Sequence, residues 1–346
     1  MIDIKEQKEF NYLTEKKPIV FASNMENEDV KAIMSELGID YNNHLNEPFT
    51  MIHTLGKIPS NKVYIVKYEA LDNKQDEIIK NLTSFKEDVC VLVDSFENDN
   101  YLDFIELLSE KILTNNYKIT KFKSKDDSKE IDYYFYGETE IYKNVKTGYV
   151  IGDAINHCKD LVNTPYNYLN ATDLSNYAKT LEKYDHLNVT IYDKNAIEDM
   201  KMGSYLGVNK GSKDEPKLIF IEYKNGTEVP TTLVGKGVMY DTGGYSLKTP
   251  TSMPGMKVDM AGAAAVISGI EAIARLELKA NVNVVVAATD NRIGENAIVP
   301  DDIITAANGK TIEIISTDAE GRLTLADAVW FAQKKGSNKV IDVATL

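Results

Sequence analysis

The chain has 346 residues, 43% of them hydrophobic and 27% charged, which excludes a disordered or fibrous protein and is too long for one typical core. A net charge of −14 argues against nucleic acid or an anionic membrane as the main partner. The N-terminus is charged and mixed, unlike a signal peptide, and no apolar run reaches the roughly 18 residues of a membrane helix, so a cytoplasmic protein is expected.

The first 140 residues alternate strand-like and helix-like patterns. Strands are predicted over 18–23, 51–56, 62–68, 88–96 and 117–122, with helices over 27–37 and 98–113 between them. Cys90 reads, like Cys158 further on, as a reduced, buried thiol without a pairing partner. A long helix over 139–163 follows and ends at Asn163-Thr164-Pro165, because the residue before a proline disfavours helix. The domain join is placed on this helix, giving an N-terminal domain over 1–150 and a catalytic domain over 151–346.

In the second part, strands are predicted over 187–192, 217–223, 231–234, 281–288, 311–315 and 339–345, and helices over 171–183, 261–276 and 323–335. Several of these strands are continuous apolar runs, as for strands buried on both faces. The fold class is therefore α/β: an N-terminal α/β domain followed by an α/β catalytic domain with a mixed, largely parallel central sheet.

The chemistry concentrates in this second part. In Ser316-Thr317-Asp318-Ala319-Glu320-Gly321-Arg322-Leu323, two carboxylates two residues apart lie between a predicted strand and a predicted helix, with an arginine two residues on. Upstream lie Lys236, Asp241, the Gly243-Gly244 pair, Lys248 and Asp259. The charge of Asp241, Asp259, Asp318 and Glu320 together would balance two divalent cations, and without metal they would repel one another and take up protons. Carboxylates alone suit magnesium or manganese; a deprotonated Lys236 nitrogen would shift the preference toward zinc, cobalt or manganese.

Each residue has an ordinary role when taken singly. Asp318 and Glu320 suit a helix N-terminus, Asp259 suits a helix cap, and Lys236, Lys248 and Arg322 could be solvated cations. The set points to function because all these ordinary roles would have to coincide. No His-Glu-x-x-His or Gly-x-Ser-x-Gly occurs, so neither the usual single-zinc protease signature nor a nucleophile elbow is present.

The set resembles the cytosolic leucyl aminopeptidase family of two-metal peptidases. The likeness lies in Leu233-Val234-Gly235-Lys236-Gly237, Asp241-Thr242-Gly243-Gly244, Lys248, and Met256-Lys257-Val258-Asp259-Met260-Ala261-Gly262. It continues in Asn308-Gly309-Lys310-Thr311 and Thr317-Asp318-Ala319-Glu320-Gly321-Arg322-Leu323, with Asp160-Leu161-Val162-Asn163-Thr164-Pro165 opening the matched region. The resemblance implies an aminopeptidase acting on peptides with a free N-terminus, with two divalent cations, zinc or manganese, as cofactors, and a hexameric homo-oligomer. It implies that Lys236, Asp241, Asp259 and Glu320 hold one metal and Asp241, Asp318 and Glu320 the other. Lys248 would face the scissile carbonyl, and Arg322 would bind a bicarbonate serving as general base. Met256, Ser316, Ala319, Thr345 and Leu346 would lie around the substrate.

There are departures. Ser316 stands where the family usually has asparagine, Tyr240 replaces a common phenylalanine, and Pro300-Asp301-Asp302 replaces Pro-Gly-Asp. Relatives also run on well past Thr345-Leu346, beginning with Thr-Gly-Ala, so part of the pocket wall is expected to be missing from this chain and its own peptidase activity to be low. A two-metal phosphoesterase and a non-catalytic subunit are the competing expectations.

Overall fold

Runs of β-branched and aromatic residues alternate with amphipathic helices along the whole chain, and a computed structural model describes residues 2–7, 9–40, 45–125, 129–137 and 141–346. The chain divides into two compact units, Met1–Asn156 and His157–Leu346.

The first unit holds strands β1 (Ile2–Gln7), β2 (Ile19–Ala22), β3 (Phe49–His53), β4 (Lys62–Val66), β5 (Val89–Leu92) and β6 (Ile131–Tyr136). Helices α1 (Glu28–Leu37), α2 (Gln75–Leu82) and α3 (Tyr101–Asn115) connect them, and α4 (Ile141–Asn163) carries the boundary between the units. The sheet order is β1-β6-β5-β2-β4-β3, parallel except for the β3–β4 pair. Asn27 caps α1 by accepting the Val30 N–H, and Gly38 ends it at φ 68°, a left-handed conformation glycine adopts without strain.

One expected strand fails in this unit, and two strands that form were not expected. Residues 117–122 form no strand; their partly exposed side chains lie in irregular chain. The sixth strand is instead β6, whose alternating residues Ile131, Tyr133 and Phe135 are buried while it pairs with both β1 and β5. The charged strand β1 was not anticipated, since its sequence offers little apolar alternation. The expected helix start at residue 139 lies outside the described residues.

The second unit contains α5 (Ala171–Lys179), β7 (Leu187–Tyr192), α6 (Lys194–Asp199), α7 (Gly203–Asn209), β8 (Lys217–Lys224), β9 (Thr231–Asp241) and α8 (Ala261–Arg275). It continues with β10 (Asn281–Asn291), β11 (Ile303–Thr305), β12 (Thr311–Glu313), α9 (Glu320–Lys334) and β13 (Lys339–Val343). The five-stranded sheet has the order β13-β9-β10-β8-β7 and is mixed. β9 runs parallel to β10 and β13, while β8 is antiparallel to β10 and β7.

Period-two alternation on β10 serves two cores. Val284, Val286 and Ala288 pack with Leu174 of α5 and Ala263 and Ile267 of α8; Val285 and Ala287 pack with Tyr205 of α7 and Ala328 and Phe331 of α9. Both faces of the strand are thus covered, which is why its middle, residues 284–288, is an unbroken apolar run. β9 extends well past its predicted end at residue 234, through Gly235-Lys236-Gly237 to Asp241. A Cβ on Gly235 would lie 2.6 Å from the Cα of Ala263, so the glycine marks close helix–strand packing and not a break. Cys90 is buried as expected, whereas Cys158 is only partly so. Among the described residues, no helix is long and apolar enough to cross a membrane.

Candidate metal centre and active site

The carboxyl ends of the parallel strands β9, β10 and β13 converge at one place, the usual position for a ligand site in such sheets. β9 supplies Lys236 from its interior and Asp241 as its last residue. A 3₁₀ turn, Met256–Met260, brings in Asp259 just ahead of α8. Asp318 precedes α9, and Glu320 is its first residue, three positions earlier than the predicted start of that helix.

After Asp241 the chain reverses through Gly243 and Gly244 at φ 86° and 62°, and Lys248 N–H returns to bond Thr242 O at 3.0 Å. Only glycine takes two successive left-handed positions readily, and a Cβ on Gly243 would meet Ser246 O at 2.5 Å. The reversal carries the Lys248 ammonium back over the strand end.

One ligand atom from each of Asp241, Asp259 and Glu320 lies within 4.8 Å of the others, and all three residues are buried. The Lys236 ammonium is 2.7 Å from Asp259 Oδ1 and 2.9 Å from Glu320 Oε1, and it donates to Thr345 O at 2.6 Å. Lys248 Nζ bridges Asp241 Oδ2 at 2.7 Å and Asp318 Oδ1 at 2.6 Å. The two lysines offset half the charge of the four carboxylates. Burial, with the Asp241 charge adding to it, lifts the Glu320 carboxyl to about 7 despite Lys236. Burial also raises Asp259, against the opposing pull of Lys236 and the Thr345 hydroxyl. Burial works to lower Lys248, but Asp241 and Asp318 outweigh it and hold the ammonium above its ordinary value.

Two oxygens in this cluster, Asp259 Oδ2 and Glu320 Oε2, are buried and have no hydrogen-bond partner among the described residues. Buried polar atoms are normally satisfied, and carboxylate oxygens are costly to leave bare. Unpartnered carboxylate oxygens in so tight a cluster of acids are what a divalent cation coordinates, so these residues fit the metals that the sequence suggests.

The cluster opens into a cavity of about 470 Å³. All the predicted metal residues line it, as do Lys248, Arg322, Met256, Ala319, Thr345 and Leu346. Asp318 is the most open of the acids, with 38% of its side chain exposed, and Arg322 is exposed on the wall. Ser316 is not part of the lining; its hydroxyl accepts the Asp318 N–H at 3.2 Å and shapes the turn instead.

Four further residues shape the site, and of these Asn291 alone lies outside the motifs that carry the resemblance. Val258 lines the cavity. Gly321 leaves room for Lys236, whose Nζ would lie 2.8 Å from a Cβ there. Thr317 donates to Gly243 O at 2.6 Å and accepts Ser246 N–H at 2.7 Å, clasping the two loops together. Asn291, at the end of β10, donates to Asp241 Oδ1 at 2.8 Å. Of these, Asn291 could have been sought at a strand's carboxyl end; the parts the others play become apparent only once the loops are folded together.

Comparison with known protein families agrees with this geometry. The family model for the catalytic domain of the cytosol aminopeptidase family matches residues 156–346, more than half of the chain and all of the elements that build the cavity. The chain therefore belongs to the cytosol aminopeptidase family.

Proposed function

We propose that the chain is a metal-dependent aminopeptidase that removes N-terminal residues, leucine and other apolar types among them, from peptides with a free amino end. Two bare carboxylate oxygens, Asp259 Oδ2 and Glu320 Oε2, buried beside a cavity that Met256, Val258 and Leu346 also line, are the observation that carries this proposal. Lys236, Asp241, Asp259 and Glu320 hold one divalent cation, zinc or manganese, and Asp241, Asp318 and Glu320 hold the other. When bound, the cations supply Lewis acidity, which makes water nucleophilic at neutral pH and polarises a carbonyl.

The chain's own groups do the rest. Met256 and Val258 give the cavity an apolar side to receive the first side chain of the peptide. Lys236 donates to a backbone carbonyl and two carboxylates, so it must give up a proton before its nitrogen can act as a ligand. The Lys248 ammonium, held at the cavity by Asp241 and Asp318, offers positive charge where an oxyanion develops. Arg322 presents a planar, permanently charged fork on the wall, suited to holding a planar oxyanion such as bicarbonate.

The test is hydrolysis of leucine amide and N-acetyl-leucine amide by the purified chain with manganese or zinc. An aminopeptidase cleaves the first and spares the second, because acetylation removes the basic amine. Equal cleavage of both would indicate a general amidase, and turnover of phosphate esters alone would indicate a phosphoesterase.

A further inference from the structure

Asn291 ends β10 directly opposite Asp241 on β9. It is 4% exposed and is not part of the cavity lining. Its side-chain nitrogen lies 2.8 Å from Asp241 Oδ1 and 2.9 Å from Thr317 O. Both neighbours are acceptors, so the amide must turn its NH₂ toward them. Gly243 N–H donates to the same Asp241 Oδ1 at 2.8 Å. Two donors on Oδ1 fix the plane of the carboxylate and leave Oδ2 facing Lys248 and the cavity.

The backbone of Asn291 completes the clasp. Its carbonyl accepts the Thr242 N–H at 3.0 Å and the Thr242 hydroxyl at 2.9 Å. The glycine turn closes tightly over it: a Cβ on Gly244 would lie 3.0 Å from Asn291 Oδ1 and 2.9 Å from Thr317 Oγ1. One residue therefore ties the end of β9, the turn after it and the segment leading to Asp318.

We propose that Asn291 is a positioning residue of the metal centre: by holding Asp241 Oδ1 and Thr317 O together, it makes Asp241 Oδ2 the oxygen offered to the cation and keeps Asp318 beside it. This rests on the proposal that Asp241 is a metal ligand. Asn291 itself touches neither cation nor substrate, so its loss acts first on metal affinity. Partners that orient a metal ligand from behind are typically worth about 10- to 100-fold in affinity.

The experiment is calorimetric titration of manganese into chelator-stripped full chains, with melting temperature measured in chelator. Wild type is compared with Asn291→Ala, Asn291→Ser, Asp241→Ala and Asn209→Ala. The last removes a buried amide that bonds Asp214 O and Thr289 Oγ1 and serves as the control for lost stability alone. Asn291→Ala is expected to weaken manganese binding about 10- to 100-fold, and Asn209→Ala to melt earlier with affinity unchanged. Asn291→Ser, whose hydroxyl is too short to reach Asp241, should match Asn291→Ala and decides the matter if the alanine variant does not fold. Asn291 variants that bind like wild type while Asp241→Ala does not would overturn the positioning role and leave the metal site standing. Equal weakening in Asn209→Ala would also overturn it, as an effect of general destabilisation. If Asp241→Ala binds like wild type, the metal assignment fails and this inference with it.

Discussion

Gly321 and Lys236 are packed so closely that any side chain at position 321 would have to displace the lysine amine. A Cβ on Gly321 would sit 2.6 Å from Lys236 Cε and 2.8 Å from its Nζ. Because α9 starts one residue earlier, at Glu320, the glycine lets the helix N-terminus close over the lysine while Glu320 pairs with it. Gly321→Ala is therefore expected to fold, since alanine is the better helix former, yet to displace the Lys236 amine. Metal retained after gel filtration should fall well below the wild-type level. Full retention would show that the lysine can move without consequence.

Metal stoichiometry is a second expectation. Elemental analysis after loading should approach two divalent ions per chain, and Asp318→Ala should lower that number. Asp318 is the most exposed of the four acids, so its removal should cost metal and leave the melting temperature in chelator nearly unchanged.

Lys248 should matter for turnover more than for metal content. Lys248→Ala is expected to reduce leucine amide hydrolysis by about 10²-fold or more with metal still bound, as when an oxyanion donor is removed. Arg322→Ala should also slow turnover and abolish any stimulation by bicarbonate. Unchanged rates in Lys248→Ala would remove that lysine from the chemistry.

Glu271 gives a stability expectation away from the cavity. It is 1% exposed on α8, bonded to His157 Nδ1 through both oxygens at 3.1 Å and to the Tyr177 hydroxyl at 3.2 Å. Burial works to raise its carboxyl, but His157, Arg275 and Tyr177 together outweigh burial and hold it below the ordinary glutamate value. A depressed carboxylate stabilises the fold above its unfolded pKa, and that stabilisation is lost as pH falls through the folded value. Glu271→Gln should thus lower stability by about 1–3 kcal/mol at pH 7 and by progressively less in acid below about pH 4. Equal losses at pH 7 and pH 3, measured by denaturant melts, would contradict this assignment.

Asp327 should be sensitive for a different reason. It is fully buried on α9 and accepts the backbone N–H groups of Tyr205 at 2.9 Å and Ala307 at 2.8 Å. Asp327→Ala leaves both donors bare and should cost about 2–4 kcal/mol in chemical denaturation. Asp327→Asn keeps one acceptor and should cost less.

The alternation of elements in the second unit could be read from sequence because β8, β10 and their covering helices carry strong apolar patterns. The candidate site could be read for a similar reason: Asp318, Glu320 and Arg322 are adjacent in sequence, so one short turn states their relationship. What escaped notice depends on partners remote along the chain. The run at 117–122 and strand β6 both offer alternating apolar residues, and only the gap between β1 and β5 selects the second. Gly235 looks like a break in β9 until α8 is laid against it, and Gly237 until β10 is packed beside it. Asn291 is an unremarked polar residue fifty positions from Asp241, and their bond exists only because β9 and β10 pair in that register.

The central place of β10 between β8 and β9 has a kinetic consequence. Its amides are paired on both sides and roofed on both faces, so they should exchange with solvent only when the whole unit opens. Asp241 and Asn291 hang from that slowest-opening framework. The turn that carries Lys248 is tied to the frame through Ser246 and Lys248, whereas its tip, residues 249–252, is exposed and bonded mainly within itself, so the tip can open on a faster clock. Deuterium uptake should therefore appear early around residues 249–252 and last along β10, so that the loop tip beyond Lys248 can open many times within one lifetime of the carboxylate frame.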